Sequence, residues 1–289
     1  MLGQVDLPMA DYQTGEGVSR SELVRVLRSP AHYLWAKMRP EPPTPAQRFG
    51  TATHVRLFEP GRWDELVTVR PTGLDLRKKA DKAAFVDALG LDPADAPTKV
   101  EDIEAEFYRR HPERVLLAAA DAATIDEMGQ AVRAHPGAAA LLAEGAAEQT
   151  FFWTDPDTGE LCKVRPDWIT GRVLVDLKTT TDARPESFAH ESLRWQYHVQ
   201  AAFYLDGVNA AAGEVAVDAF VIIALEKDPP YGIWLHNMEP DQLELGRREY
   251  RRALNIYHQC REHDEWPGYP DTIEPLNLPT WKQREIGWI

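Results

Sequence analysis

The middle of the chain alternates short apolar runs with turn-forming residues, a pattern that predicts β-strands. Asp155–Gly159, DPDTG, is typical of a tight turn, and Thr170–Arg172 is a second turn that closes a hairpin. A short strand is also predicted at Leu66–Arg70. The predicted strands of the middle and later chain are Gln149–Thr154, Leu161–Asp167, Arg172–Lys178, Val215–Leu225 and Ile233–Met238.

Helical periodicity accounts for much of the remaining chain. Ser19 has Glu22 three residues after it, which is the capping-box spacing at the start of a helix. Thr44 can cap the next helix, Pro45–Glu59, with proline in its first turn. The later helices are predicted at Ala183–Leu193, Gln196–Ala211 and Asp241–His263.

Strands clustered in the middle, with helices before, between and after them, predict an α/β fold with a mixed central sheet flanked by helices. We expect residues 1–17 to be a flexible N-terminal arm and residues 18–289 to form a single domain. Within that domain, residues 71–146 are rich in alanine and charge and predict a helical lobe. Residues 267–289 predict an irregular C-terminal tail.

The predicted hairpin, Lys163–Thr180, carries the most informative chemistry. Asp176 and Lys178 share one face of a strand because side chains alternate, while the intervening apolar residue faces the packing. Asp167 ends the preceding strand. Two carboxylates and an ammonium group suit divalent-metal phosphodiester chemistry, because Mg²⁺ prefers oxygen ligands. The alternative is a surface hairpin with an exposed ion pair that stabilises little.

Several blocks around the hairpin, in one order, resemble a known family. The chain is similar to the PD-(D/E)XK nuclease superfamily, and specifically to the exodeoxyribonuclease VIII-like exonucleases of phages and prophages. Residues between about Pro71 and Ala146 match no motif. The resemblance implies a restriction-endonuclease-like core with an N-terminal helical elaboration. The matching blocks are Val18–Ala36, Arg48–Pro60, Glu148–Trp168, Val175–Phe188 and Gln200–Gly207.

The resemblance implies the metal ligands and the catalytic lysine. It places metal ligands at His54, Asp167 and Asp176, and adds the backbone carbonyl of Leu177. Lys178 corresponds to the catalytic lysine, which positions or helps to deprotonate the attacking water. Taken alone, His54 on an amphipathic helix is more often a packed, hydrogen-bonded residue than a ligand.

Other positions match the family with less definite roles. Glu148 precedes the hairpin where related proteins carry a glutamate, and it is a candidate for assisting catalysis through a second metal or a water. Gln200 and Tyr204 are four residues apart and therefore share a helical face, which could contact DNA or order the site. Local stabilisation of the helix surface is an equal alternative. Arg165 belongs to the family's Arg-Pro-Asp motif and is a further candidate for DNA binding or site ordering.

The function implied by the resemblance is a Mg²⁺-dependent exodeoxyribonuclease, with Mn²⁺ able to substitute. It would degrade one strand of linear double-stranded DNA from its ends, in the 5′-to-3′ direction, and leave single-stranded tails for recombination. The implied partners are DNA ends, a single-strand annealing protein and further copies of the chain in a ring-like trimer or tetramer. The alternatives are a related endonuclease or single-strand-specific nuclease, a catalytically inactive DNA-binding relative, and a structural phage protein.

The composition and the cysteine count exclude several classes of protein and of metal site. The two cysteines, Cys162 and Cys260, cannot supply the four ligands of an iron–sulfur cluster, nor a tetrahedral zinc site by themselves. No apolar run is long enough to cross a membrane, and the first residues lack the pattern of a secretory signal. We therefore expect reduced thiols and a cytoplasmic location. The resemblance implies that this is the cytoplasm of a bacterial host.

The formal net charge of −14 is unusual for a protein that binds DNA. Two clusters of basic residues are weak candidates for DNA contact, because charged runs on helices are most often solvated faces. One is Arg70 with Arg77–Lys79 and Lys82, and the other is Arg247–Arg248 with Arg251–Arg252. A closed ring around the duplex could substitute for a strongly basic surface.

Overall fold

The computed structural model describes residues 3–39, 41–92, 97, 99–277 and 284. The helices are α1 Met9–Thr14, α2 Arg20–Arg28, α3 Pro30–Met38, α4 Pro45–Phe58, α5 Trp63–Leu66, α6 Lys79–Ala88, α7 Val100–Arg110, α8 Ala119–Ala134, α9 Pro136–Leu141, α10 Pro185–Arg194, α11 Tyr197–Ala212 and α12 Pro240–His263. The strands are β1 Gly3–Val5, β2 Val67–Val69, β3 Val115–Leu117, β4 Ala146–Ala147, β5 Thr150–Thr154, β6 Leu161–Val164, β7 Trp168–Thr170, β8 Val173–Thr180, β9 Ala219–Glu226 and β10 Ile233–Asn237.

A mixed sheet with the strand order β10-β9-β8-β7-β4 forms the centre of the fold. β8 pairs with β9 in parallel, and α10 and α11 make the crossover between these two strands. The other neighbours in this sheet are antiparallel. Parallel strands that are joined through helices are typical of α/β folds. The predicted α/β class with a mixed, helix-flanked sheet is therefore confirmed.

Alternation along β8 sends apolar side chains to both faces of this sheet. Val175 and Leu177 pack with Phe58 of α4 and Met128 of α8 on one face. On the other face, Leu174 belongs to a larger cluster. That cluster includes Val199, Phe203, Phe220, Ile222 and Leu254, from α11, β9 and α12. Because both faces of β8 are covered by helices, Asp176 is buried and Lys178 is half-buried.

A second sheet, with the order β1-β5-β6, corrects one prediction. The sequence predicts a continuous strand over Leu161–Asp167. In the structure β6 ends at Val164, and the chain resumes in the central sheet as β7 at Trp168. Pro166 has no amide hydrogen to continue a ladder, and the chain changes sheets at this point. Asp167 therefore lies in the connection between the two sheets, and its side chain contacts His54 of α4.

The N-terminal residues also differ from the expectation of a flexible arm. β1 pairs with β5, and α1 follows it. The ammonium group of Lys163 donates to the carbonyl oxygens of Tyr12 at 2.7 Å and Gly15 at 2.6 Å. Tertiary contacts thus give residues 3–17 a defined conformation. At the other end, residues 265–277 contain no helix or strand, and most of the predicted tail beyond them lies outside the described residues.

Among its described residues, the predicted lobe at 71–146 holds α6 to α9 and a strand that the sequence did not predict. That strand, β3, pairs in parallel with β2, which confirms the short strand predicted at Leu66–Arg70. Phe85, Ile103 and Phe107 form the centre of a separate apolar cluster here. The division of the chain into domains stays a prediction. Among the described residues, no helix combines the length and apolar character needed to cross a membrane.

Candidate metal centre

Strand β8 places Asp176 and Lys178 side by side, on the face covered by α11. Lys178 Nζ lies 2.6 Å from Asp176 Oδ2. On the other oxygen, Gln200 of α11 donates a hydrogen bond through Nε2 to Asp176 Oδ1. The Lys178 ammonium also lies 4.9 Å from the ring centroid of Tyr197 in the first turn of α11. Asp176 is 1% exposed. The ammonium group is therefore fixed between a buried carboxylate and an aromatic ring.

Asp167 links this strand to helix α4. Its Oδ2 accepts a hydrogen bond from the backbone amide of Leu177 at 2.8 Å. The same oxygen lies 3.3 Å from Nδ1 of His54 in α4. The His54 ring packs edge-on against Phe58 one turn later, with 5.7 Å between ring centroids. Asp167 thus joins the hairpin to the helix, and the imidazole is oriented by both a carboxylate and an aromatic neighbour.

Glu148 reaches the same place from the short segment between β4 and β5. Its backbone has φ +51°, a left-handed conformation that is uncommon for a residue with a side chain, and its amide donates to the Asp167 carbonyl oxygen at 3.1 Å. Arg165 Nε donates to the Glu148 carboxylate at 2.8 Å. Arg165 Nη1 also donates to Thr150 Oγ1 at 3.0 Å and to the Leu7 carbonyl oxygen. The buried guanidinium therefore holds Glu148 in position.

One ligand atom from each of His54, Glu148 and Asp167 lies within 4.8 Å of the other two. Two carboxylates and an imidazole suit Mg²⁺ or Mn²⁺, and ligands about 2.1 Å from one such ion lie about 3 Å apart. Asp176 is not part of this group within the described chain, whereas the resemblance implies it as a ligand. Its Oδ2 is buried and forms the 2.6 Å ion pair with Lys178, so both of its oxygens already have partners in the protein.

The carboxyl groups of the site differ in pKa. Burial and the nearby Asp167 carboxylate together raise the pKa of Glu148 to about 7, against the opposing effects of His54 and Arg165. Burial also raises the pKa of Asp176, although Lys178 opposes this. For Asp167, burial acts in the same direction, but His54 and the Leu177 amide outweigh it and hold the pKa below its usual range.

For His54, attraction by a neighbouring charge outweighs the effect of burial on the pKa. Burial disfavours the imidazolium form, but the Asp167 carboxylate attracts it more strongly, so the pKa of His54 rises to about 9. The metal-free site therefore contains a charged pair, the His54 imidazolium with the Asp167 carboxylate. A bound cation would replace the proton on His54 in this pair.

The other predicted site residues are Gln200, Tyr204, Leu177 and Arg165. Gln200 orders Asp176 directly, as described above. Tyr204 is half-buried on the same face of α11, and its ring packs edge-on against Phe220. Burial raises the pKa of Tyr204 well above its usual value. Leu177 contributes its amide to Asp167, and its carbonyl stays a predicted ligand. Arg165 is 8% exposed, which places it as an ordering residue within the fold.

Sequence reasoning missed three residues near the site: Thr150, Tyr197 and Arg20. Tyr197 lies three residues before Gln200, so helical spacing places the two side chains on one face of α11. Thr150 lies on β5, and no sequence pattern marks its contact with Arg165. Arg20, in the first turn of α2, donates through Nη2 to the Gln196 carbonyl oxygen at 2.8 Å. Burial lowers the pKa of Arg20, while Tyr204 and Asp176 act against this change.

A mixed sheet that carries Asp-x-Lys on its parallel strand, with a preceding aspartate and a glutamate beside it, defines a PD-(D/E)XK-type fold and site. The family model described as "PDDEXK-like domain of unknown function (DUF3799)" matches residues 19–279. The chain belongs to this family.

A solved structure shares the fold. A crystal structure of a "Putative exonuclease" from Eubacterium rectale superimposes with a TM-score of 0.60 and 14% sequence identity, covering 99% of this chain and 100% of that one. At this identity the match shows the shared fold alone. No curated protein matches the sequence significantly. The family and the fold together support a nuclease and confirm the predicted superfamily. They leave the likeness to exodeoxyribonuclease VIII as a prediction.

Proposed function

We propose that the chain is a metal-dependent exodeoxyribonuclease that degrades one strand of linear double-stranded DNA. The observation that carries this proposal is the placement of two groups side by side. One is the cation-binding set of His54, Glu148 and Asp167, and the other is the buried Asp176–Lys178 pair. The first group suits a hard divalent cation, and the second supplies a fixed positive charge. Both features stabilise the negative charge that develops during phosphodiester hydrolysis.

The residues divide the chemistry between them. A bound Mg²⁺ or Mn²⁺ would polarise the scissile phosphate and lower the pKa of its bound water. Asp167 and Glu148 supply anionic oxygens on one side of the site, and His54 supplies a neutral nitrogen once it is deprotonated. Lys178 can orient the attacking water and balance the negative charge that grows on the phosphate oxygens. Asp176 and Tyr197 hold the Lys178 ammonium in place, and Gln200 holds Asp176.

Polarity, product and partners are part of the same proposal. We take the direction to be 5′-to-3′, so the product is a duplex with a 3′ single-stranded tail that an annealing protein would accept. The family resemblance supports this direction, and it also supports a ring of three or four copies around the DNA. The complete set of acids and lysine favours an active enzyme over an inactive DNA-binding relative.

The decisive experiment is digestion of a linear duplex labelled at either the 5′ or the 3′ end, with Mg²⁺, with Mn²⁺ and with EDTA. We expect the parent protein to release short products from the 5′-labelled end only when a metal is present. Lys178→Ala and Asp176→Asn each remove part of the charge arrangement. Both should lower the rate by about 10²–10³-fold, the usual effect of losing one group that stabilises transition-state charge.

Two exposed positions supply matched controls. Lys99→Ala and Asp87→Asn remove the same charges far from the site and should leave the rate unchanged. Undiminished digestion by both site variants contradicts the mechanism. Cleavage of closed circular DNA at a rate similar to that of linear DNA favours the endonuclease alternative. DNA binding without any hydrolysis by the parent protein favours the inactive relative.

A further inference from the structure

The connection between α10 and α11 exposes a tryptophan flanked by a cation. Trp195 is 52% exposed, and its neighbour Leu193 is 63% exposed. The guanidinium group of Arg194 lies 5.1 Å from the centroid of the Trp195 ring. An exposed indole beside arginine is the arrangement on which unpaired bases stack in proteins that bind single-stranded nucleic acid. This connection therefore offers a stacking surface.

A groove of about 380 Å³ lies beside this connection, between it and α2. Its lining residues are Val24, Arg25, Leu27, Arg28 and Gln196. Arg25 and Arg28 are exposed, and neither forms an ion pair within the described residues. Arg28 donates through Nε to the Tyr269 hydroxyl, at 3.3 Å. Two exposed arginines without acidic partners give this groove a local positive field, despite the net charge of −14.

The basic clusters predicted from the sequence contrast with this groove, because much of their charge is paired. Arg247 lies 2.9 Å from Asp206, and Arg248 lies 3.1 Å from Glu244. Arg251 contacts Asp155, and in the other cluster Arg70 lies 2.9 Å from Glu104. Arginines whose charge is balanced by a neighbouring carboxylate attract phosphate weakly. The groove beside α2 is therefore the stronger candidate for binding the DNA backbone.

Arg20 fixes the geometry of this surface. Its Nη2 donates to the carbonyl oxygens of both Trp195 and Gln196. Gln196 has φ +54°, a left-handed conformation that these contacts help to hold. Arg20 also lies one helical turn before Val24, so the same face of α2 continues from Arg20 into the groove. A surface held in this way loses little conformational entropy on binding.

The groove adjoins the catalytic pair through the first turn of α11. Gln196 lines the groove, and Gln200, four residues later, donates to Asp176. Four residues of helix span about 6 Å, which corresponds to about two nucleotides of a stacked strand at 3.4 Å each. Tyr197, between the two glutamines in sequence, contacts Lys178. A strand whose phosphate lies at Lys178 can therefore continue into the groove.

We propose that this groove binds single-stranded DNA continuous with the strand at the active site, with a base stacked on Trp195 and phosphates contacted by Arg25 and Arg28. The inference rests on the proposed nuclease function. A single strand is favoured over duplex because stacking on Trp195 requires an unpaired base, and because the groove is small. The occupant is thus the tail of the substrate strand next to the bond that is hydrolysed.

Binding of a fluorescein-labelled oligothymidylate, measured by anisotropy in EDTA, tests this without hydrolysis. Trp195→Ala should weaken binding about tenfold, since loss of one stacked base has an effect of that order. Arg25→Ala/Arg28→Ala should also weaken binding about tenfold and reduce the slope of log K against log salt by about 1.4, for two lost phosphate contacts. Quenching of tryptophan fluorescence by the oligonucleotide should disappear in Trp195→Ala.

Matched controls come from other faces of the protein. Trp234→Ala removes a tryptophan that is 46% exposed on β10, and Arg109→Ala/Arg110→Ala removes two exposed arginines from α7. Both should bind the oligonucleotide as the parent protein does. Equal weakening by these controls overturns the inference, as does unchanged binding by the groove variants. An equal loss of affinity for blunt duplex and for single-stranded DNA in the groove variants also overturns the inference.

Digestion of linear duplex by the same variants separates the two proposals. If the parent protein digests DNA while the groove variants bind and digest as it does, the groove assignment fails and the nuclease assignment stands. If the parent protein hydrolyses no DNA under any metal condition, the proposed function itself fails.

Discussion

At the scale of single residues, the site is a set of buried charges that compensate one another. Asp167 faces His54, Glu148 faces Arg165, and Asp176 faces Lys178. An uncompensated buried charge is costly, so removal of one member leaves its partner destabilised. These pairs keep the metal-free fold stable while holding several anionic oxygens close together. A cation can then bind with little rearrangement of the chain.

Metal binding should release protons, and its affinity should rise with pH. Without metal, the pKa of His54 is about 9 and that of Glu148 is about 7, and both groups must be deprotonated to act as ligands. We therefore expect Mn²⁺ affinity to increase from pH 6 towards pH 9. Calorimetry at pH 7.5 in two buffers of different ionisation enthalpy should report release of about one proton. His54→Ala should abolish most of that release, and affinity that falls as pH rises contradicts this account.

Arg165 should affect metal binding without contacting the metal. Its planar fork joins Glu148, Thr150 and Leu7, which the single ammonium group of a lysine cannot match. Arg165→Lys should lower Mn²⁺ affinity by about 10–100-fold, the usual effect of losing a group that orients a ligand. Calorimetry measures this, with Arg172→Lys, an exposed arginine paired with Asp218, as the control. An equal effect of the two substitutions is inconsistent with an ordering role for Arg165.

At the scale of elements, the packing of α12 against α11 positions Tyr197 and Gln200, which contact Lys178 and Asp176. Gly246 of α12 approaches the backbone of α11 so closely that an added Cβ would lie 2.1 Å from the His198 carbonyl oxygen and 3.0 Å from Ala202 Cβ. Tyr197 and Gln200 belong to the same helix. The position of α11 relative to β8 therefore depends on a residue without a side chain at this crossing.

Gly246→Ala should destabilise the protein because the new methyl group forces the two helices apart. We expect a loss of about 2 kcal/mol or more, outweighing the gain of up to about 1 kcal/mol from the higher helix propensity of alanine. Thermal or urea unfolding measures the change. Gly50→Ala in α4, where no atom lies within 4 Å of the added Cβ, is the control and should stabilise slightly. A similar gain in stability in both variants would contradict the close approach of Gly246 to α11.

At the scale of the whole molecule, the distribution of charge matters more than its total. Many arginines pair with acids, including Arg172 with Asp218 and Arg251 with Asp155. Arg25 and Arg28 of α2 are exposed and form no ion pair in the part of the chain that the structure describes. Local fields of this kind can attract a polyanion even when the net charge opposes binding. An assembly around the duplex would hold the DNA in addition to these contacts.

If the copies form a ring, the protein in solution should have three or four times the 32.6 kDa mass of one chain. Light scattering after size-exclusion chromatography measures this mass. Encirclement should also make digestion processive, so that an excess of unlabelled DNA added after the start leaves digestion of bound duplex unaffected. A monomeric mass together with immediate arrest by the competitor contradicts the ring.

The sequence by itself determined the features that depend on neighbours along the chain. The capping box at Ser19 and the helix cap at Thr44 form as predicted, because capping hydrogen bonds span only three residues. Gly171 adopts φ +53° in the hairpin turn. Alternation along β8 brings Asp176 and Lys178 together and turns Val175 and Leu177 to the opposite face. These features rest on backbone geometry that repeats every two to four residues.

Only the tertiary structure decided which distant residues meet. It ended the predicted strand Leu161–Asp167 at Val164 and took the chain into the central sheet at Trp168, and it brought Glu148 together with His54 and Asp167. It also gave the N-terminal residues a strand partner in β5. Such outcomes depend on how helices and sheets pack, which local patterns do not specify, because strand pairing and helix docking are set by contacts between residues far apart in the chain.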